Sequence, residues 1–230
     1  MTKQHSKKYL AAAKKVDSAK QYSLSDAVTL LKEISFTKFN SNVEIVFNLN
    51  VDTTKADQQL RGAMVLPNGS GNAKTVTVFA DGDKASDAKK AGADFVGSDD
   101  LIKKVQTGWS KFDIAIATPN QMPKVGRVGR VLGPRGLMPN PKEGTVTLDI
   151  SKAVKDAKSG QVTYRTDRNG NIAIPVGKVS FDKEKLTQNI KSVASTILNA
   201  RPSTVKGKYI LSAHISSTMS PAISLNVSTL

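Results

Sequence analysis

Chemistry at a protein site needs nucleophiles, acids, bases or metal ligands at workable spacing, and this sequence supplies few of them. It has two histidines, His5 and His214, and no cysteine, so disulfides and thiolate metal sites are excluded. Carboxylates pair at Asp81-Gly82-Asp83 and at Asp99-Asp100. Both pairs fall where helices are predicted to start, and there Asp serves as a cap or a dipole partner. No G-x-S-x-G nucleophile elbow occurs. The run Gly69-Ser70-Gly71-Asn72-Ala73-Lys74-Thr75 invites a phosphate-loop reading, but that loop needs glycine where Asn68 and Ala73 stand. It reads as a turn. Gly126, Gly129, Gly133 and Gly136 do not match the dinucleotide fingerprint, and they lie far from the first strand of their block. The expectation is therefore a protein that is not an enzyme, with no metal and no cofactor.

The chemistry that remains is charge. Lys and Arg number 34 against 19 Asp and Glu, a net charge of +15 with a pI near 9.9. Such a surplus concentrates polyanions, either nucleic acid or an anionic membrane surface. The membrane reading is weak, because no stretch approaches the roughly 20 apolar residues of a span. The basic start, Met1 to Lys8, is followed by only Tyr9 to Ala13 before Lys14 and Lys15, too short for an export signal. The cytoplasm is expected. The most distinctive segment is Gly129-Arg130-Val131-Leu132-Gly133-Pro134-Arg135-Gly136-Leu137-Met138-Pro139-Asn140-Pro141-Lys142. Its glycines let backbone N–H groups approach phosphates, its prolines hold shape at low entropic cost, and Arg130, Arg135 and Lys142 supply charge. A basic structural loop fits that composition equally well.

These residues need elements to position them. Residues 7–20 read as a short basic helix with Leu10, Ala13 and Val16 on one face. Ser23 to Asp26 opens a second helix in capping-box style, and Leu24, Ala27, Val28, Leu31 and Ile34 follow at helical spacing. Val43, Ile45, Phe47 and Leu49 alternate with Glu44, Val46, Asn48 and Asn50, the period of a half-buried strand. A strand over 61–66 ends in the turn cluster 67–72. From Thr75 to Ala117 strand, helix, strand, helix and strand alternate, which suggests a parallel, Rossmann-like sheet. That block is locally acidic, with six Asp and three Lys over 81–100, so the polyanion face is expected elsewhere. Residues 118–144 read as basic and mostly irregular. A helix over 151–159, a hairpin over 161–175, a long amphipathic helix over 182–200 and a last strand over 207–217 complete the chain. On that strand Leu211, Ala213 and Ile215 take one face. Ser212, His214, Ser216 and Thr218 take the other, where small polar groups let another backbone come close.

The run 129–142 resembles the signature of the bacterial large-subunit ribosomal protein L-one family. Three further blocks resemble that family in the right order: Arg61 to Gly69, Ala91 to Gly97, and Ile174 to Phe181. The resemblance implies an α/β fold of two domains. One is a discontinuous α/β sandwich holding both termini, 1–67 plus 160–230; the other, 68–159, is an inserted, Rossmann-like three-layer domain. The outer domain carries the main RNA site. Motif matching places Lys38, Phe39, Asn42 and Glu44 in its loop and first strand, and Ser212, Thr218, Met219 and Ser220 at and beyond its last strand. Arg165 and Lys178, with Lys38, are expected to meet phosphates. Arg130, Gly133, Arg135, Gly136 and Lys142 form a secondary RNA contact. Two positions depart from the family pattern: Ser220 stands where glycine is usual, and Asn42 where a hydroxyl residue is.

The implied partners are large-subunit ribosomal RNA, tRNA at the exit site and the protein's own messenger RNA, with the free protein a monomer. The implied role is to form the mobile side stalk on the cytoplasmic ribosome, to assist release of deacylated tRNA and to repress translation. Structured RNA is recognised by shape, 2′-OH groups and phosphates, which suits short polar side chains. Aromatics are only 5% of residues, against a sheet that stacks successive bases. A nucleotide-dependent enzyme would instead bind a mononucleotide or dinucleotide. A general basic DNA-binding protein would hold duplex DNA and structured RNA alike.

Overall fold

The computed structural model describes residues 5–229; Met1 to Gln4 of the basic N-terminal run lie outside the described residues. In chain order the main elements are α1 (Lys7–Ala13), α2 (Leu24–Ile34), β1 (Asn42–Leu49), β2 (Arg61–Val65), β3 (Val76–Phe79) and α3 (Asp83–Lys90). Then come β4 (Phe95–Gly97), α4 (Asp99–Gln106), β5 (Ile114–Ala117), α5 (Met122–Gly126), α6 (Gly129–Leu132) and α7 (Ile150–Ser159). β6 (Gln161–Arg165), β7 (Asn171–Lys178), α8 (Lys183–Asn199), β8 (Ile210–Ser217) and β9 (Ile223–Leu225) complete the order. The chain groups into two compact units. One runs to Gly71 and resumes at Val162, and the other is Asn72–Gln161.

In the discontinuous unit, β7, β1, β8 and β9 form one antiparallel sheet in that order, and β2 pairs with β6. Helices α2 and α8 cover a single face of the four-stranded sheet. The sequence dictates this directly. Val43, Ile45, Phe47 and Leu49 of β1 are buried, and the residues between them are not. The stripe Leu24, Ala27, Val28, Leu31 and Ile34 of α2 is buried as its spacing predicts. Ser23 Oγ accepts from Asp26 N–H at 3.3 Å and donates to the Asp26 carboxylate at 2.7 Å, which fixes the start of α2.

One buried polar side chain joins three segments of this unit. Asn189 of α8 is wholly buried. Its Nδ2 donates to Val176 O at 2.7 Å and to Gly69 O at 3.0 Å, and its Oδ1 accepts from Asn68 N–H at 3.1 Å. The turn after β2 is thereby held to helix and sheet with its polar groups satisfied.

In the other unit, β4, β3 and β5 form a parallel sheet with β3 central. Both of its faces are covered. Val76, Val78 and Ile116 pack with Ala88 of α3 and Val154 of α7 on one side. Phe79, Ala115 and Ala117 pack with Leu101 and Val105 of α4 and with Val125, Val128 and Leu132 on the other. The acidic groups here are structural. Asp83, Asp99 and Asp100 sit in the first turns of α3 and α4, and Asp94 and Asp113 accept backbone N–H groups of Val76 and Thr75, each at 2.8 Å.

Three expectations need correction. The first helix ends at Ala13 rather than reaching 20, and Leu10 is exposed. Asp17 ends the helical path locally, because its carboxylate accepts Ala19 N–H at 3.0 Å while its own N–H goes to the Tyr22 hydroxyl. The segment 118–144 is not mostly irregular. It contains α5, α6 and two 3₁₀ turns, because Val125, Val128 and Leu132 find a core to bury against. Leu211 does not share the face of Ala213 and Ile215. A register shift pairs Leu49 with Ile210 and Asn48 with Ser212, so Ile210 is buried and Leu211 is exposed.

Two outcomes test this packing. Replacing Asn189 by Ala removes the side-chain partner of the buried Val176 carbonyl and of the part-buried Gly69 O and Asn68 N–H, and lowers unfolding free energy by about 2–3 kcal/mol in urea titrations. Burial pushes the Tyr209 phenol up to about 12, with Tyr164 adding to the shift and Arg201 opposing it. A raised folded value means that stability is intact below the unfolded value of about 10 and declines as pH rises from there through 12. Tyr209→Phe removes that part of the alkaline decline, up to about 2–3 kcal/mol, when unfolding is compared at pH 9 and 12. It costs nothing at pH 7, since the buried hydroxyl has no hydrogen-bond partner.

Candidate nucleic-acid interface

Because α2 and α8 cover one face of the four-stranded sheet, the alternation of each strand leaves the other face open. The cross-strand register assembles that face in rows. Asn171, Asn48 and Ser212 form one row, with Asn48 Nδ2 donating to Asn171 Oδ1 at 2.7 Å. Ala173, Val46, His214 and Ser224 form the next, and Pro175, Glu44 and Ser216 the third. Lys178 and Asn42 pair at the end of the sheet, where Asn42 O accepts Thr218 N–H at 3.1 Å. Hydrogen-bonding side chains of Asn171, Asn48, Ser212, His214, Ser224 and Ser216 are interspersed with the small apolar Ala173, Val46 and Pro175, and the one carboxylate in these rows, Glu44, is exposed.

Beyond this end two turns project. In the first, Thr37 Oγ1 donates to Phe39 O at 3.1 Å, while Asn40 exchanges hydrogen bonds with Ser180 across the sheet end. The turn is thereby fixed, with Lys38 exposed and Phe39 58% exposed. In the second, the turn between β8 and β9, Met219 lies at φ 74° and is 67% exposed. It is the one described non-glycine residue with positive φ, a backbone state that costs a side-chain-bearing residue about 1–2 kcal/mol. Strain of this kind gathers at binding sites.

Ser220 holds that turn. Its Oγ accepts Ser217 N–H at 2.9 Å and lies 3.2 Å from both Ser217 O and Pro221 O, and its own N–H reaches Ser217 O at 3.0 Å. The Ser220 hydroxyl is therefore folded back on its own turn.

Of the ten residues expected at the main site, nine lie on the open face or at the sheet end: Lys38, Phe39, Asn42, Glu44, Lys178, Ser212, Thr218, Met219 and Ser220. Arg165 does not join them, because β6 pairs with β2 outside that sheet. In the other unit Arg130, Gly133, Arg135 and Gly136 share one exposed segment, tied by Gly133 N–H to Gly129 O at 2.8 Å and Gly136 N–H to Gly133 O at 3.0 Å. Lys142 is exposed in the following 3₁₀ turn, where its N–H reaches Asn140 Oδ1 at 2.9 Å. Reading by motif missed Asn48, Asn171 and Ser224. The alternation of β1 already puts Asn48 on the outer face, but Asn171 and Ser224 join it only through pairing between distant strands, for which neither spacing nor composition carries a signal. Among the described residues no group of three or more His, Asp or Glu could hold a metal ion. No described helix is long and apolar enough to cross a membrane.

The family described as Ribosomal protein L1p/L10e matches residues 31–221. The chain belongs to this family. It is 76% identical over 230 residues to the large ribosomal subunit protein uL1 of Oenococcus oeni, covering all of both chains. It is 63% identical to the protein of that name from Leuconostoc mesenteroides, again over all of both chains, and 61% identical over 229 residues to that of Limosilactobacillus reuteri, covering all of both. The family match begins within α2 and ends just past the β8–β9 turn, so it takes in both projecting turns.

The turn chemistry makes a prediction. Ser220→Ala removes the acceptor for Ser217 N–H and lowers stability by about 1 kcal/mol in urea unfolding. Met219→Gly, which relieves the left-handed strain, leaves stability within about 1 kcal/mol of the parent.

Proposed function

We propose that this protein is a constituent of the large ribosomal subunit, in the cytoplasm, that binds ribosomal RNA directly through the open sheet face and the two turns beyond it. The observation that carries the reading is the row pattern of that face. Hydroxyls, amides, an imidazole and one carboxylate stand on the open face of the sheet among the small apolar Ala173, Val46 and Pro175, with an exposed Phe39 and an exposed, strained Met219 at its end. Short polar groups suit hydrogen bonding to 2′-OH groups and base edges. Glu44, which phosphate repels, accepts from a 2′-OH or a base amine. Phe39 stacks on a base or ribose, and Lys38 and Lys178 meet phosphates. Family membership supports the assignment to the ribosome.

In this reading the protein forms the mobile side stalk and assists release of deacylated tRNA from the exit site. It also represses translation by binding a similar fold in its own messenger. The two compact units are separate domains that hinge where the chain passes between them, near 67–71 and again near 160, since two connections allow a swing while limiting twist. The basic 130–142 segment adds the secondary RNA contact. The protein acts by binding, as a monomer when free, and neither catalyses a reaction nor takes a cofactor.

The test is titration of a ribosomal RNA stalk fragment against duplex DNA of equal length at matched salt. RNA is expected to bind tighter, and Thr218→Val and Met219→Asp each weaken RNA binding by about 1–3 kcal/mol while circular dichroism stays unchanged. Equal affinity for both nucleic acids, or unaltered affinity in both variants, overturns the reading.

A further inference from the structure

The open face does not end at the rows that meet Phe39 and Met219. At the opposite end of β8 it runs into a groove bordered by the segment that precedes α2, by the start of β8 and by β9. Lys20 and Lys208 stand along it, with Ser212, His214 and Ser224 among its lining side chains and no Asp or Glu. The nearest acid along the chain, Asp17, is committed to Ala19 N–H at 3.0 Å. In a protein with 19 carboxylates, a groove lined by two lysines and by no acid is a local concentration of positive charge.

The groups are also held in place. Lys20 Nζ lies 5.1 Å from the centroid of the Tyr22 ring, and Tyr22 is fixed by its bridge to Leu225, with Tyr22 N–H reaching Ser224 O at 2.9 Å. The imidazole of His214 is clamped from both sides, Nε2 lying 3.3 Å from Ser212 Oγ and Nδ1 3.3 Å from Ser224 Oγ. Hydroxyls can donate or accept, so either tautomer is satisfied and the ring keeps its orientation. Arg201 holds the approach to Lys208 by donating to Val205 O at 2.7 Å and Gly207 O at 3.0 Å.

We infer that this groove, which shares Ser212, His214 and Ser224 with the open face, is the part of the RNA-binding surface that takes the phosphate backbone. The inference rests on the RNA-binding reading above and extends it. Ser216, His214 and Ser212 alternate on one face of β8, with Thr218 just past its end, and the six residue steps from Ser212 to Thr218 span roughly 20 Å. An RNA strand seated on the Thr218 end therefore reaches the groove without leaving the sheet. The two ends divide the work: short polar groups and exposed side chains at one, charge at the other.

The experiment is titration of the stalk fragment across a potassium chloride series. It compares the parent, Lys20→Ala with Lys208→Ala, His214→Gln, and a control, Lys183→Ala with Lys191→Ala, which removes the same charge from α8. Every phosphate that the protein no longer neutralises reduces the slope of log affinity against log salt by about 0.7 to 0.9. The groove pair is expected to lower that slope by about 1.5 and low-salt affinity at least tenfold, and the control pair to change the slope by less than half as much. His214→Gln is expected to weaken binding severalfold at every salt concentration. A parent that prefers the RNA fragment, together with a groove pair whose slope matches the control's, overturns the inference and leaves the main site standing. A parent with no RNA preference overturns both.

Discussion

Everything at the candidate site depends on the two-residue period of β1 and β8. Each strand must turn one set of side chains toward α2 and α8, and the other set is then left on the open face. Val43, Ile45 and Phe47 are fully buried for this reason, and Glu44, Val46 and Asn48 stand between them at the surface. A one-residue slip would exchange the two sets completely, burying a carboxylate and exposing the core. The binding face thus needs no stabilising interactions of its own. Its register is enforced from the far side of the sheet by the large apolar area that the helices bury.

That arrangement explains why the face can be polar and plain. A site held by its own side chains would need bulk or salt bridges, which would stand in the way of an approaching backbone. Serine, threonine and asparagine keep the surface low while still offering donors and acceptors. The open edge beside it is closed cheaply, since Tyr22 forms a single parallel bridge to Leu225 and caps β9. Only at the turns beyond the sheet does the protein accept local strain, at Met219, and there Ser220 offsets it with hydrogen bonds to Ser217.

Much of this was legible in the sequence, for identifiable reasons. The stripe of α2 and the alternation of β1 are local periodicities, and local periodicities survive folding when one face is buried. The parallel block from Thr75 to Ala117 was legible because short apolar strands alternate with short polar or amphipathic helical segments, each bounded by turn residues. What stayed hidden was non-local. The helices at 122–132 form because Val125, Val128 and Leu132 meet a core assembled from β3, β5 and α4, which outweighs the surrounding glycines and prolines. The bulge that turns Leu211 outward depends on β1, which lies far earlier in the chain. Arg165 and Lys178 were both expected to meet phosphates, and only the sheet pairing shows that they lie on different sheets.

The charge follows the same logic. A net +15 distributed evenly would attract any polyanion and distinguish none. Here several carboxylates of the parallel unit serve structure, Asp83, Asp99 and Asp100 at helix starts and Asp94 and Asp113 bound to backbone N–H groups. The groove beside β9 is left without acids. Charge that is weak in salt and indifferent to sequence can bring RNA to the surface, but it cannot choose among RNAs. In the proposed function, selection falls to the hydroxyls and amides of the open rows, whose hydrogen bonds require a particular shape and are screened far less. Separating the two along a single strand lets one sheet attract broadly and bind narrowly.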